Sequence, residues 1–197
     1  STGLAHFLDH GTTRHGAQAL DRPNAKERAS LKPLTYYYPS GPIGDTMDFI
    51  AGNEKAKNYA FVGLGVGSLA AYGQPGEVFD FYEIDPAVER IARNPDYFTY
   101  LRDSDAKVNV IIGDARLKIA QAPDNHYGLI VIDAFSSDAI PTHLLTVEAL
   151  ELYKSKLIED GIIAIHVSNR FFDLIPLVGG LADKTGMRAA FKQDRNL

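Results

Sequence analysis

The sequence predicts an α/β fold, a doubly wound, mostly parallel sheet with helices on both faces. Three observations predict it. Apolar runs recur at 59–64, 78–84, 108–112, 127–134 and 161–167, apolar throughout rather than on one side only. Helix-like patterns separate them near 67–73, 86–93, 115–122, 146–158 and 173–185. Glycine or acid gathers at the ends of the first four runs, and sheets of this kind bind ligands beyond the carboxyl ends of their strands.

Along the chain, residues 4–8 (LAHFL) and 14–20 (RHGAQAL) read as short strands flanking the turn-like DHGTT. Residues 21–33 are polar and read as a loop, and TMDFIAG (46–52) reads as a short helix closed by Gly52. Residues 1–50 thus make a small N-terminal β and loop segment, and 51–197 the main domain. Within the latter, Pro86 suits a first helical turn, and Thr146 with Glu148 nearby marks the start of the helix at 146–158.

Composition narrows the function classes. A chain of 197 residues is one domain with at most a small appendage. Its formal net charge is −5 with acids and bases mixed, and without a basic tract to neutralise phosphates it argues against nucleic acid. The absence of cysteine removes disulfides and thiolate–metal chemistry. The most apolar stretch, YAFVGLGVGSLAAYG, is too short and glycine-rich to span a bilayer, and no secretory signal opens the chain. The chain begins without methionine and stops at FKQDRNL, as a processed form or a fragment does. Histidines 6, 10, 15, 126, 143 and 166 lack ligand spacing, so no metal site is expected; His15 is left unassigned, and His166, near a strand end, is placed either to line the pocket or, the preferred reading, to be a satisfied core histidine. Ser136 and Ser137 read as loop residues, not nucleophiles.

The strand ends carry the chemistry. Gly63, Gly65 and Gly67 in GLGVGS lie where the first strand of the parallel sheet turns into its helix. Their G-x-G-x-G spacing differs from the G-x-G-x-x-G of dinucleotide sites and suits a nucleoside without phosphate, although a plain strand-to-helix turn also accounts for it. Glu83 follows Gly63 at about the twenty-residue spacing from which an acid reads ribose hydroxyls. Asp85 beside it reads as the cap of the helix at Pro86. Asp114 in GDAR can accept from an adenine amino group or cap the helix at 115–122. Asp133 and Asp138 follow the fourth strand in VIDAFSSDAIP. Turn chemistry accounts for Ser136, Ser137 and Pro141 but less well for Asp133, whose charge burial penalises unless a cation compensates. A bound amine or sulfonium is such a cation.

The stretches HGTTRHGAQ, LTYYYPSGPIG, VGLGVGSLAAYGQPGE, FYEIDPAVERIARNPDYFTYL, GDARL and DAFSSDAIPTHLLTVEAL occur in this order. Together they resemble the spermidine synthase (aminopropyltransferase) family over residues 8 to 172, and in particular its bacterial branch often fused to membrane-spanning segments. The resemblance implies a Rossmann-like sheet of the S-adenosylmethionine-dependent methyltransferase type, with the N-terminal segment closing over the site. It implies transfer of an aminopropyl group from decarboxylated S-adenosylmethionine, a co-substrate and not a tightly bound cofactor, to a diamine such as putrescine, releasing methylthioadenosine. On that likeness Glu83 holds the ribose, Asp114 the adenine, and Asp133 positions and deprotonates the amine. Asp138 matches the second acid of the family's loop approximately, at a longer spacing. Gln18 and one of Tyr36 or Tyr37 match the N-terminal residues that close over the donor.

Two departures stand out. Val66 occupies the place of an acid between the family's glycines, and Tyr38 and Pro39 replace a polar pair that includes an acid. They keep two alternatives open: a methyltransferase using intact S-adenosylmethionine, and a catalytically silent nucleoside-binding domain of a larger membrane protein. The expected partners are a polyamine substrate and a second copy of the chain, with no nucleic acid. The expected location is the cytoplasm, as a free protein or as the soluble domain of a membrane-anchored one.

Overall fold

The computed structural model describes residues 5–10, 13–20, 31–134, 141–168 and 173–194. β1 (Ala5–His10) and β2 (Thr13–Ala19) pair as an antiparallel hairpin. The remaining strands, β3 (Asn58–Val62), β4 (Val78–Glu83), β5 (Lys107–Ile112), β6 (Tyr127–Ile132) and β7 (Leu157–Ile165), form a parallel sheet in the order β5-β4-β3-β6-β7. The chain winds outward from β3 to β5 and returns to the other side of β3 with β6. The switch point therefore lies between β3 and β6, and the crevice beyond their carboxyl ends is the place for a ligand.

Strand periodicity divides the core into two layers. Tyr59 and Phe61 of β3 join Phe79, Phe81, Leu129 and Val131 on one face, with Met47 and Ile50 of α1 (Pro42–Ala51) packed among them. Ala60 and Val62 join Tyr82, Ile130 and Ile132 on the other. That second face is covered by Ile119 of α4 (Ala115–Ile119), Ala149 and Leu150 of α5 (Val147–Lys156) and Leu181 of α6 (Ile175–Lys184). Two shorter helices, α2 (Pro86–Ala92) and α3 (Tyr100–Asp103), complete the connections around β4. Each aromatic side chain withdrawn from water contributes about 1.5–3 kcal/mol, so the Phe61, Phe79 and Phe81 cluster anchors the sheet's centre.

The structure moves several expected boundaries. The helix read at 46–52 begins at Pro42, whose fixed φ suits the first helical position after Gly41. The pattern at 67–73 is a 3-10 helix, Ser68–Tyr72, entered through Gly67 at φ 81. The last strand starts at Leu157 rather than 161, and the helix before it stops at Lys156. There Asp160 adopts φ 62 and the register with β6 shifts between Tyr127 and Leu129, so a polar Glu159–Asp160 kink masks the strand in sequence. The single turn of α3 is too short for a periodic pattern to reveal.

Candidate functional site

Asp133 follows β6 directly. Its amide donates to the carbonyl of Val62 at 2.9 Å, which extends the β3–β6 pairing and fixes the residue at the switch point. The side chain is 4% exposed. Its Oδ2 accepts the Tyr37 hydroxyl at 2.5 Å, and its Oδ1 lies 2.7 Å from Nδ1 of His166. The Tyr36 hydroxyl donates to that of Tyr37 at 3.0 Å, and the Tyr36 ring lies 4.3 Å from the Tyr37 ring and 4.5 Å from the imidazole. Burial first, then the charge of Asp133, raises the pKa of both tyrosines well above the usual value. Both hydroxyls are therefore protonated donors at neutral pH. They reach the site from a 3-10 turn, Thr35–Tyr37, which opens with Thr35 at φ 61 and is held by the Tyr72 hydroxyl on the Tyr37 carbonyl at 2.5 Å.

The glycine loop is shaped by what approaches it. Gly63 has φ 99, and a Cβ there would stand 2.6 Å from the carbonyl oxygen of Asp133. Only glycine admits both the backbone angle and the approach, so this residue lets the loops after β3 and β6 touch. Gly65 backs onto the carbonyl of His15 in β2. Val66 is buried against Gly16, where a Cβ would come within 2.6 Å of its Cγ2. The side chain standing in the family's acid position thus packs under the hairpin.

Glu83 ends β4 half-buried, with Oε2 accepting the Leu64 amide at 3.0 Å and Oε1 the Asp85 amide at 2.9 Å. It ties the glycine loop to the end of the neighbouring strand. Asp85 caps α2 as expected, accepting the Ala87 amide at 2.7 Å. Asp114 caps α4 through the Leu117 amide at 3.0 Å, and its second oxygen lies 3.0 Å from Nε2 of His143. Gln18, 2% exposed, accepts the Thr99 amide at 2.7 Å and donates to the Thr99 hydroxyl at 2.9 Å, pinning the hairpin to the segment before α3.

The structure therefore gathers Asp133, Tyr36, Tyr37 and Gly63 in one cluster and links Glu83 to the same glycine loop through Leu64. Gln18 and Asp114 make their bonds elsewhere along the carboxyl edge and the hairpin. Asp138 lies outside the described residues. His166 corrects the preferred sequence reading and agrees with the other: it is no core histidine but stands at a strand end in this cluster, 24% exposed and paired with Asp133. The available signal was that it directly follows the last strand, which lies beside the one ending in Asp133. Among the described residues no cluster of His, Asp and Glu suited to a metal ion occurs. Nor is any helix among them long and apolar enough to cross a membrane.

Chemically, the cluster offers a buried carboxylate with two hydrogen-bonding partners fixing its orientation, beside the glycine loop at the switch point. The fold is a doubly wound α/β domain with a small antiparallel hairpin at its N-terminal side. In sequence the chain is 36% identical over 124 residues to the polyamine aminopropyltransferase of Vibrio vulnificus (strain CMCP6), a match covering 60% of this chain and 39% of that protein. In structure it is similar to the spermidine synthase from Thermotoga maritima, with a TM-score of 0.51, 19% identity, and coverage of 70% of this chain and 46% of that one. A probable spermidine synthase from Corynebacterium glutamicum ATCC 13032 gives a TM-score of 0.57 at 18% identity, over 83% of this chain and 60% of that one. No family model matches. The likeness to the spermidine synthase family read from the motifs is borne out by these relatives, and the chain spans well under half the length of the curated one.

Proposed function

We propose that this chain carries the catalytic domain of an aminopropyltransferase, moving an aminopropyl group from decarboxylated S-adenosylmethionine to a diamine such as putrescine and releasing methylthioadenosine. The observation that carries the reading is the buried carboxylate of Asp133, oriented by Tyr37 at the switch point of a nucleoside-binding fold. The kinship with a polyamine aminopropyltransferase supports it.

An alkylamine is protonated at neutral pH and in that form is no nucleophile. Asp133 binds the ammonium and takes one proton as the amine nitrogen attacks the carbon next to sulfur. The N–C bond forms, the C–S bond breaks, and its electron pair neutralises the sulfonium. Holding the two reactants in line supplies much of the acceleration. Glu83 holds the ribose, with Gly63, Gly65 and Gly67 beneath the nucleoside and Asp114 toward the adenine. Residues 1–50, with Gln18, Tyr36 and Tyr37, close over the donor, and Asp138 completes the amine-binding loop. The protein works in the cytoplasm, alone or as a domain of a membrane-anchored protein of the fused branch, and as a homodimer.

A second reading, methyl transfer from intact S-adenosylmethionine, is favoured by one observation: Val66, in the place of the acid that would hold the donor's ammonium, is buried under the hairpin. Mass spectrometry with each donor and a panel of putrescine, cadaverine, agmatine and spermidine separates the two. Methylthioadenosine with an amine enlarged by an aminopropyl group is the expected result. S-adenosylhomocysteine from the intact donor would install the methyltransferase, and silence from folded protein with both donors would leave a binding domain.

A further inference from the structure

His166 is a titratable member of the cluster to which the proposed reaction gives no part. Its amide donates to the Ile132 carbonyl at 3.0 Å, and the register pairing Ile132 with Ile165 sets it beside Asp133 at the sheet's carboxyl edge. Nδ1 lies 2.7 Å from Oδ1 of a carboxylate that is 4% exposed, while the imidazole itself is 24% exposed. Among the described residues, the ionisable groups against the ring are Asp133 from the end of β6 and Tyr36 from the 3-10 turn, with Tyr37 on the carboxylate's other oxygen. Burial and the neighbouring carboxylate raise the pKa of both tyrosine hydroxyls, which stay neutral donors, so the carboxylate and the imidazole are the two members of this group able to carry charge.

A carboxylate only accepts, so the nitrogen facing it carries the hydrogen. With a neutral ring, that N–H orients Asp133 and leaves its full negative charge for an incoming ammonium. With a protonated ring, a fixed imidazolium already neutralises the same carboxylate, and the amine must compete with it. We infer that His166 is a positioning residue that orients Asp133 and, through its own charge, controls how strongly this carboxylate binds the acceptor ammonium. The inference rests on the amine-binding reading of Asp133 given above.

Two variants test it. His166→Asn keeps an N–H donor at similar reach without the charge, and His166→Phe keeps a ring without the donor. kcat and the KM for the amine are measured between about pH 5 and 8, where histidine changes charge. In the wild type KM rises toward acid, by about tenfold per pH unit on the limb, with kcat nearly level. His166→Asn holds kcat within about threefold and loses that rise, while His166→Phe loses about tenfold in kcat at every pH. An unchanged acid rise in His166→Asn, or wild-type kcat in His166→Phe, overturns the inference. A wild type inactive on every amine defeats aminopropyl transfer instead, and His166 is then judged by ring 15N spectra. The Nδ1-protonated tautomer is expected in the wild type and its loss in Asp133→Ala, or in Asp133→Leu if the alanine variant unfolds, since neither side chain can accept from the ring. The same tautomer in wild type and variant overturns the inference without reference to turnover.

Discussion

Asp80 and Asp133 are both carboxylates buried at this sheet, each held by a tyrosine hydroxyl and a nitrogen, and their difference separates scaffold from candidate site. Asp80, within β4, accepts from the Tyr127 hydroxyl at 2.9 Å and from Asn109 Nδ2 at 2.7 Å. Its partners stand on the neighbouring strands of the same sheet or on the next but one, and a further hydroxyl, Tyr82, pairs with Tyr127 at 2.6 Å. Every donor there is neutral, so the network does one thing, which is to satisfy polar groups inside the core. Asp133 has a similar count of donors but lies at the carboxyl edge, beside the glycine loop, with one donor from a turn outside the sheet and the other a histidine that can carry charge. A buried acid by itself is thus no sign of chemistry. Its place at the switch point and the charge state of its partners are what distinguish it.

Substitutions sharpen or break that contrast, from the largest effect down. Asp133→Asn lowers aminopropyl turnover by about 10³-fold while leaving thermal unfolding close to wild type, because the amide keeps the packing but cannot take a proton. Similar turnover in the variant would collapse the distinction between the two acids. Asp80→Ala strands the Tyr127 and Asn109 donors and lowers stability by about 2–3 kcal/mol in urea unfolding, with turnover per folded molecule held within about twofold. Tyr37→Phe removes one donor from Asp133 and lowers kcat by about tenfold, near 1.4 kcal/mol, in steady-state kinetics. Tyr37 also sets a direction with pH: its hydroxyl pKa is raised by burial, so its donated hydrogen bond is lost only far on the alkaline side and contributes no limb near neutrality. Asp114→Asn keeps an N-cap acceptor and changes stability by about 0.5 kcal/mol or less, leaving a change in the donor's KM as its readable effect.

The contrast also explains what was legible in the sequence. The parallel sheet was legible because β3, β4 and β6 are apolar on both faces, and the strand-end acids stood out against that background. The start of β7 was not, because its polar kink at Glu159–Asp160 interrupts the run. Asp85 was correctly read as a cap, since capping is local in sequence. Asp114 shows the limit of the same logic: it caps α4, and a cap and an adenine acceptor look identical in one dimension. The His166–Asp133 pairing and the Gln18–Thr99 tie were missed because each is long-range, spanning 33 and 81 residues, which no local pattern encodes. Tyr36 and Tyr37 were found through the resemblance. Their geometry was not, as it depends on the tight turn at Thr35.

The most direct test of the central claim, that Asp133 is where a cationic amine docks, is calorimetric titration of putrescine into the methylthioadenosine-loaded protein, wild type beside Asp133→Asn. Saturable binding in the wild type that weakens at least about tenfold in the variant is the predicted result, since a desolvated charge loses its partner. Equal affinity in the two proteins would contradict the claim and return Asp133 to the same standing as Asp80.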